Sequence, residues 1–535
     1  MIASNPVAPA RRIPALPGFL SLPLALLLAL LLAAAGQAST SDELRREVEM
    51  LGEAAGLANP RGLANISALA ELYGAYQYQP LWFEGGPLAT QRAALLAEIE
   101  ESAGHGLRPA HYHYDALGAA SLPVAQLDLL YSDALLSQAR HRYGGVISAM
   151  DEDWFFERQQ LDAVQFARDL LAGGGDVRQA LQPLWPQHPQ YRALLEKKAQ
   201  LAAQPEVFTQ PVPPGPLLRP GDSGERVRQL QLRLYGPGAY SGFYDTELLA
   251  AVKEFQRDAG LDPDGLVGPA SLEILNADRF SWIDQLDANL ERWRWLPRQL
   301  PATYILVNIA DFRLQVVDAG EPALDMDVIV GRPYRSTPVF AGSLRYLVFY
   351  PYWNVPYSIA VKDKLPLLRG DPTAMAAAGY EVQLAGSDTF LPVTEVDWSA
   401  IRPGEFTLRQ RPGDKNALGK VKFMLPNGHS VYLHDTPDKG LFNKSERVFS
   451  SGCIRLSEPR ALAHWVLGHD NHARRGEVEQ LYASGPTTTA YLATPIPVLI
   501  VYFTAFLEDG EVVFRRDVYQ RDADIVRQLH AGVVL

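Results

Sequence analysis

The sequence contains little cysteine and no cluster of basic residues. Among its 535 residues, Cys453 is the single cysteine, so no disulfide can form within the chain. Asp and Glu number 61 against 49 Lys and Arg, which gives a net charge of −12. Nucleic-acid binding needs clustered Lys and Arg to neutralise phosphates, so we expect no nucleic-acid partner. The apolar content of 47% is typical of a globular protein, and the length predicts about two to four domains.

Several motifs of metal-dependent and serine-dependent enzymes are also missing. None of the 11 histidines begins an H-E-x-x-H zinc motif, and neither a G-x-S-x-G elbow nor an S-x-x-K motif with K-T-G is present. His111 and His113 form an H-x-H pair, and His464, His469 and His472 lie close together along the chain. Neither group has further ligands at metal-binding spacing. We therefore expect neither a metal ion nor a cofactor.

The first 38 residues have the pattern of an export signal. Arg11 and Arg12 precede an apolar run, residues 19–35, which ends in small residues up to Ala38. Cleavage after Ala38 predicts an exported, periplasmic protein, and an uncleaved membrane anchor is the alternative. Cysteines outside the cytoplasm usually form pairs, so the unpaired Cys453 is either an inert buried thiol or a reactive one.

The remaining chain divides into three regions. Residues 39–209 have apolar side chains at three- and four-residue spacing, which predicts a mainly helical scaffold domain. A proline-rich linker, residues 210–216, precedes a compact unit of three short helices at 218–277. Residues 300–520 contain short alternating or β-branched runs and predict a mostly β domain, interrupted by a long insertion at about 363–420 that is typical of a lid. The sequence thus predicts a multidomain α+β protein. Its first strands are expected at residues 305–309, 314–317, 327–330 and 344–350.

The strongest candidate for chemistry is the segment Ser450-Ser451-Gly452-Cys453-Ile454-Arg455. Its polar, glycine-containing flank predicts an accessible turn around Cys453. Arg455 lies two residues on, so in an extended segment its charge projects to the side of the thiol and favours the thiolate. We expect backbone support from Ser451 and Gly452 for the oxyanion of a tetrahedral intermediate.

His434 is the candidate base for this cysteine. In the alternating segment 431–434, the side chains of Tyr432 and His434 point to the same side. A cysteine beside a histidine is the general arrangement of an activated thiol. A single cysteine or histidine is more often structural than catalytic, and the residues taken alone leave both interpretations open.

The segment from His434 to Arg455 resembles the active-site signature of the L,D-transpeptidase catalytic domain, in which a histidine is followed by a gap, Gly-Cys, an apolar residue and Arg or Asn. Many members of that family have histidine where Ser451 stands. Residues 221–272 resemble a peptidoglycan-binding three-helix module, with Val252-x-x-Phe255-Gln256 and Asp264-Gly265-x-Val267-Gly268-Pro269. The whole layout resembles the large Gram-negative branch, which has an N-terminal scaffold domain and a capping subdomain inserted in its catalytic domain.

The resemblance implies a reaction and its residues. Cys453 would attack a donor tetrapeptide stem of peptidoglycan, releasing D-Ala with His434 as base and leaving a thioester that a second stem converts into a 3→3 cross-link. Tyr432, Arg455 and Trp353 would line the substrate pocket. The alternatives are an L,D-carboxypeptidase, in which water resolves the thioester, and attachment of proteins to the wall at the same site. A non-catalytic wall-binding scaffold would be expected to lose the cysteine or the histidine. The implied partners are stem peptides and other cell-wall synthesis enzymes.

Overall fold

A computed structural model describes residues 40–51, 62–83, 85–147, 154–204, 210–483 and 485–531. The expected export signal at residues 1–38 lies outside these ranges. Within them, no helix combines the length and the apolar character needed to cross a membrane.

The N-terminal region is helical, as its periodicity predicts. Residues 40–51 are helical, and the long helix Val124–Gly144 runs through the centre of the domain with most of its side chains buried. Arg142 on this helix forms a fully buried ion pair with Glu98, at 2.7 Å. The other helices and 3-10 turns are Ile66–Ala75, Arg92–Glu101, Ser102–His105, Pro109–Tyr112, Tyr114–Ala119, Ala163–Ala172, Val177–Leu181, Gln182–Leu184 and Pro189–Ala203.

One long helix joins this region to the rest of the molecule. The helix Arg279–Trp295 begins where the Asp278 carboxylate accepts the Ser281 N–H at 2.8 Å. Near its other end, the buried Glu291 carboxylate accepts the N–H groups of Val146 and Ile147 at 2.7 and 3.0 Å. Residues 499–505 and the C-terminal helix Asp522–Ala531 pack into the same hydrophobic core. The scaffold therefore shares one core with segments that follow it by hundreds of residues.

The compact unit has three helices around a small core of its own. They are Glu225–Tyr235, Thr246–Asp258 and Pro269–Leu275. The Asp245 carboxylate caps the second helix by accepting the Leu248 N–H at 2.9 Å. A loop of this unit contacts the β domain, where Asp262 accepts the Ser445 N–H at 2.7 Å.

The β domain is built on a nine-stranded sheet in the order β11-β3-β12-β10-β9-β4-β13-β1-β2. Because β2 also pairs with β3, the sheet closes on itself around a hydrophobic core. Parallel pairing of β10 with β12 brings together two segments far apart in the chain, and the candidate site forms there. The strands of this sheet are β1 Tyr304–Asn308, β2 Arg313–Asp318, β3 Glu321–Gly331, β4 Phe340–Phe349, β9 Val421–Met424, β10 Leu433–His434, β11 Val448–Ser450, β12 Ile454–Leu456 and β13 Thr488–Val501.

The insertion folds as a separate unit over one end of this sheet. Its four strands, in the order β5-β8-β6-β7, enclose a third hydrophobic core with several short helices. The strands are β5 Trp353–Asn354, β6 Tyr380–Leu384, β7 Leu391–Pro392 and β8 Phe406–Gln410. Its helical segments are Tyr357–Ile359, the π-helical turn Ala360–Lys364, Leu365–Gly370, Pro372–Ala377 and Val393–Glu395.

The remaining elements include the helix Pro459–His469, whose residues Leu462, Ala463, Val466 and Leu467 are buried in the core of the β domain. These elements are Pro333–Arg335, Lys439–Asn443, Pro459–His469, Arg475–Glu477 and Val478–Ala483, with a separate hairpin of β14 Ala505–Glu508 and β15 Glu511–Phe514.

Candidate active site

Cys453 lies at the end of a tight turn between β11 and β12. Gly452 has φ +112°, a conformation that favours glycine. The Ser450 hydroxyl donates to the Cys453 carbonyl at 2.6 Å and accepts the Gly452 N–H at 3.1 Å. The Thr337 hydroxyl donates to the Gly452 carbonyl at 2.9 Å. Hydrogen bonds therefore fix the backbone on both sides of the thiol.

His434 stands one strand away from the cysteine. The parallel register pairs Leu433 with Ile454 and His434 with Arg455. The His434 Nδ1 lies 2.5 Å from the carbonyl oxygen of Asp435. Because a carbonyl only accepts hydrogen bonds, Nδ1 carries the proton and Nε2 keeps a free lone pair. This tautomer is the one a general base requires.

The thiol itself faces a carbonyl and a phenol. Its Sγ lies 3.7 Å from the carbonyl oxygen of Ser430, to which the S–H donates. Ser430 adopts a left-handed conformation with φ +57°. The Tyr432 side chain neighbours the sulfur and lowers the pKa of the Cys453 thiol, and Trp353 in turn lowers the pKa of Tyr432. The Tyr432 ring lies 5.7 Å from the His434 imidazole, centroid to centroid.

Burial governs the charge of both candidate groups. It raises the pKa of the Cys453 thiol, against the opposing effects of Tyr432, Arg455 and Lys422. It also lowers the pKa of His434 to about 3, with Arg455 contributing in the same direction. As the sequence predicts, Arg455 favours the thiolate by lowering the pKa of Cys453, but the larger effect of burial raises that pKa. At neutral pH the pair is therefore a neutral thiol and a neutral imidazole, the starting state for general-base catalysis.

The Asp435 carboxylate is fixed by several hydrogen-bond donors. The oxygens accept the N–H of Thr436 at 2.7 Å, the N–H of Lys420 at 2.9 Å and the Tyr482 hydroxyl at 2.9 Å. The Lys439 ammonium lies 2.8 Å away. These contacts fix the backbone carbonyl that orients His434.

The residues expected to support an oxyanion have other partners in this structure. The Gly452 N–H is directed to Ser450 and would have to leave it before facing an oxyanion. The exposed Ser451 hydroxyl accepts from Arg335 at 3.1 Å. Arg335 also forms a bidentate ion pair with Asp363 of the insertion, at 2.6 and 3.1 Å. The turn before the thiol is thus connected to the insertion.

Trp353 and Arg455 belong to different sheets beside this site. Trp353 is buried at the start of the inserted sheet, and the Lys364 ammonium lies 5.6 Å from the centroid of its ring. Arg455 is half-buried and contacts the Asp438 carboxylate at 3.3 Å.

The histidines considered for metal binding have other partners. His113 pairs with Asp133 at 2.8 Å, His464 with Glu479 at 2.7 Å and His469 with Asp318 at 3.4 Å. In the ranges that the structure describes, no group of three or more His, Cys, Asp or Glu residues is placed to hold a metal ion.

Sequence reasoning missed Ser430, the Asp435 carboxylate, Lys422 and Arg335. The Asn427-Gly428 dipeptide signals a turn before Ser430, and Asn427 binds the Val431 carbonyl at 2.7 Å. No local pattern reveals the others, because their partners lie on separate strands or in the insertion.

Comparisons with known proteins identify three segments. Residues 302–498 match the L,D-transpeptidase catalytic domain, residues 67–197 a scaffold domain, and residues 223–275 a domain described as "Putative peptidoglycan binding domain". A Haemophilus influenzae protein described as "Putative L,D-transpeptidase" is 35% identical over 222 residues, which are 41% of this chain and 45% of that protein. The amidase CwlL of Bacillus licheniformis is 39% identical over 69 residues, 12% of this chain and 19% of that one. The chain thus spans less than half the length of either relative.

Two solved structures are also similar. L,D-transpeptidase 3 from Mycobacterium tuberculosis is 15% identical with a TM-score of 0.18, over 38% of this chain and 61% of that one. The L,D-transpeptidase from Xylanimonas cellulosilytica is 16% identical with a TM-score of 0.16, over 54% of this chain and 100% of that one.

Proposed function

We propose that the β domain, whose residues 302–498 match the L,D-transpeptidase catalytic domain, uses Cys453 and His434 to form 3→3 cross-links between peptidoglycan stem peptides. The observation that supports this most is the fixed imidazole tautomer, with Nδ1 on the Asp435 carbonyl and Nε2 free, one strand from the single cysteine. The module at residues 223–275 would hold the enzyme on its polymeric substrate. The proposal includes export to the periplasm and work beside other cell-wall synthesis enzymes.

In the first half-reaction, His434 Nε2 takes the thiol proton as sulfur attacks the amide carbonyl of the third stem residue. The tetrahedral intermediate collapses when the imidazolium gives that proton to the amine of D-Ala, which leaves. Cys453 now carries a thioester. Because thiol and imidazole start neutral, proton transfer and attack are coupled, and no thiolate needs to exist beforehand.

In the second half-reaction, the side-chain amine of another stem attacks the thioester. His434 accepts a proton from this amine, the carbon–sulfur bond breaks, and the proton returns to the sulfur. Atoms and charges then balance, with one amide broken and one amide formed. Water in place of the amine would trim the stem instead, so dryness around Cys453 decides between transfer and hydrolysis.

The insertion is proposed to exclude that water. Trp353 belongs to it and neighbours Tyr432, which in turn neighbours the Cys453 sulfur. The Lys364 ammonium lies 5.6 Å from the centroid of the Trp353 ring. The Arg335–Asp363 pair ties it to the turn before Cys453. A cap of this kind would order a long peptide donor and cover the thioester while the acceptor binds.

The test is mass analysis of disaccharide or free tetrapeptide stems incubated with the exported chain. Wild type should give cross-linked dimers and free D-Ala. Cys453→Ala and Cys453→Ser should give neither, because a serine hydroxyl is far less acidic than a thiol. His434→Ala should slow acylation about 10²–10⁴-fold, the usual range for a positioned proton-transfer group.

A matched control is His464→Ala, which removes an exposed histidine paired with Glu479 and should leave turnover unchanged. Full cross-linking by Cys453→Ala would end the proposal. Tripeptides in place of dimers would convert it to an L,D-carboxypeptidase.

A further inference from the structure

Three basic side chains, those of Lys422, His434 and Arg455, lie side by side on three adjacent strands of the sheet. In the antiparallel pairing of β10 with β9, His434 is opposite Lys422. In the parallel pairing of β10 with β12, His434 is opposite Arg455. Directly paired residues project to the same side of a sheet, and neighbouring strands lie about 4.8 Å apart. The neutral imidazole is therefore flanked by a cation on each side.

The two cations have different surroundings. Arg455 contacts the Asp438 carboxylate at 3.3 Å. Lys422 is half-buried, and its ammonium lies 5.8 Å from the centroid of the Tyr432 ring. Within the described part of the chain, the ionisable group that acts on the pKa of Lys422 is the Cys453 thiol, which would raise that pKa as a thiolate, and no carboxylate does so.

A half-buried ammonium without a carboxylate partner is costly to keep charged, and burial lowers the pKa of Lys422 accordingly. An anion brought by the substrate would remove that cost. The protein as a whole carries a charge of −12 and repels anions. A single cationic position in this anionic protein would therefore favour substrates that carry their negative charge at the matching place.

The donor stem provides a carboxylate at a matching position. His434 must protonate the nitrogen of the leaving residue, and in an amino acid the carboxylate is two bonds from that nitrogen. The residue one strand from His434, on the side away from β12, is Lys422. In a stem with a fifth residue, the same carboxyl is an uncharged amide.

We propose that Lys422 binds the carboxylate of the leaving fourth residue, and so selects tetrapeptide donors over longer or amidated ones. This inference rests on the proposed function and adds a specificity-determining residue to it.

The first experiment compares two donors that differ in one group: a tetrapeptide stem with a free terminal carboxylate and the same stem with a terminal carboxamide. A hydrogen bond to a charged group contributes enough to give wild type a preference of about tenfold or more in kcat/KM for the free acid. Lys422→Met should abolish most of that preference, chiefly through KM. Lys422→Arg, which keeps the charge, should restore part of it.

Lys415→Met is the matched control. Lys415 is exposed and donates to the Ala377 carbonyl at 3.3 Å, so its removal should leave the preference unchanged. If Lys422→Met discriminates between the two donors as wild type does, the inference is wrong.

A second experiment does not depend on cross-linking. Cys453 is alkylated with iodoacetate, which carries a carboxylate beside the reacting carbon, and with neutral iodoacetamide, each rate divided by that of free cysteine. A change in the thiol pKa affects both alkylation rates equally, so the ratio of the two rates reports the positive charge beside the thiol. Lys422→Met should lower the iodoacetate-to-iodoacetamide ratio several-fold, and Lys415→Met should not.

An unchanged ratio in Lys422→Met would also overturn the inference. A lowered ratio supports the anion subsite even if no donor is cross-linked, which would refute the proposed function alone.

Discussion

Asp435→Asn should weaken both the fold of this site and its chemistry. The change keeps the shape of the side chain but replaces one acceptor oxygen with an NH₂ group. Each carboxylate oxygen faces one backbone donor: Thr436 N–H at 2.7 Å for one and Lys420 N–H at 2.9 Å for the other. Whichever way the amide turns, one backbone N–H is left against another donor. The Lys439 ammonium at 2.8 Å also loses its counter-charge.

The magnitude follows from these contacts. Asp435 is buried, and leaving a buried donor unsatisfied costs about 1–3 kcal/mol. The half-exposed Lys439 adds at most about 1 kcal/mol. We therefore expect the free energy of unfolding to fall by about 1–4 kcal/mol. The neighbouring carbonyl would no longer hold the His434 imidazole in place, and a misplacement of about 1 Å can cost about a hundredfold in rate.

The assays are urea unfolding and the rate of thioester formation, followed by mass spectrometry at saturating donor. Asp438→Asn is the control, because that carboxylate is exposed and forms its ion pair with Arg455 at 3.3 Å. Tyr482→Phe, which removes one donor at 2.9 Å, should give a smaller loss of both stability and rate. An Asp435→Asn protein with wild-type acylation would refute the positioning role, whatever its stability.

Three further outcomes are expected. The pKa of His434 is lowered to about 3 in the folded protein, against about 6.5 when unfolded, so the free energy of unfolding should not depend on this group above pH 6.5 and should decrease as the pH falls toward 3, by up to about 1.4 kcal/mol per pH unit. The urea midpoint of His434→Gln should therefore change less with acid than that of wild type. Equal slopes would contradict this. Asp363→Asn should slow acylation by stem peptides up to about fivefold through loss of an ion pair worth about 0.2–1 kcal/mol, without slowing a small β-lactam, and equal loss with both would reject a cap function. Phe155→Ala removes a ring whose centroid lies 3.9 Å from that of His429, next to Ser430. The added solvation should lower the pKa of Cys453 in alkylation profiles, whereas Phe243→Ala in the three-helix unit should not.

The sequence by itself determined the regions of the chain and the pair of residues proposed to react. Helical and strand periodicities are local, so the three-helix unit at residues 218–277 and the first four strands were predictable from spacing alone. β3 begins at Glu321, earlier than its apolar run, because its first half pairs with β2. The helix Arg279–Trp295 was not predicted, because its residues from 288 onward are buried on all sides in one core and leave no amphipathic pattern.

The tertiary structure alone decided the state of the site. The neutral forms of Cys453 and His434 result from burial, which no window of sequence measures. Asp435 is fixed by Tyr482, 47 residues further along the chain. Lys422 became a neighbour of the base through strand register. Chemical identity is encoded locally, whereas protonation, tautomer and charge environment depend on packing between distant segments, because desolvation and hydrogen-bond geometry are properties of the assembled fold.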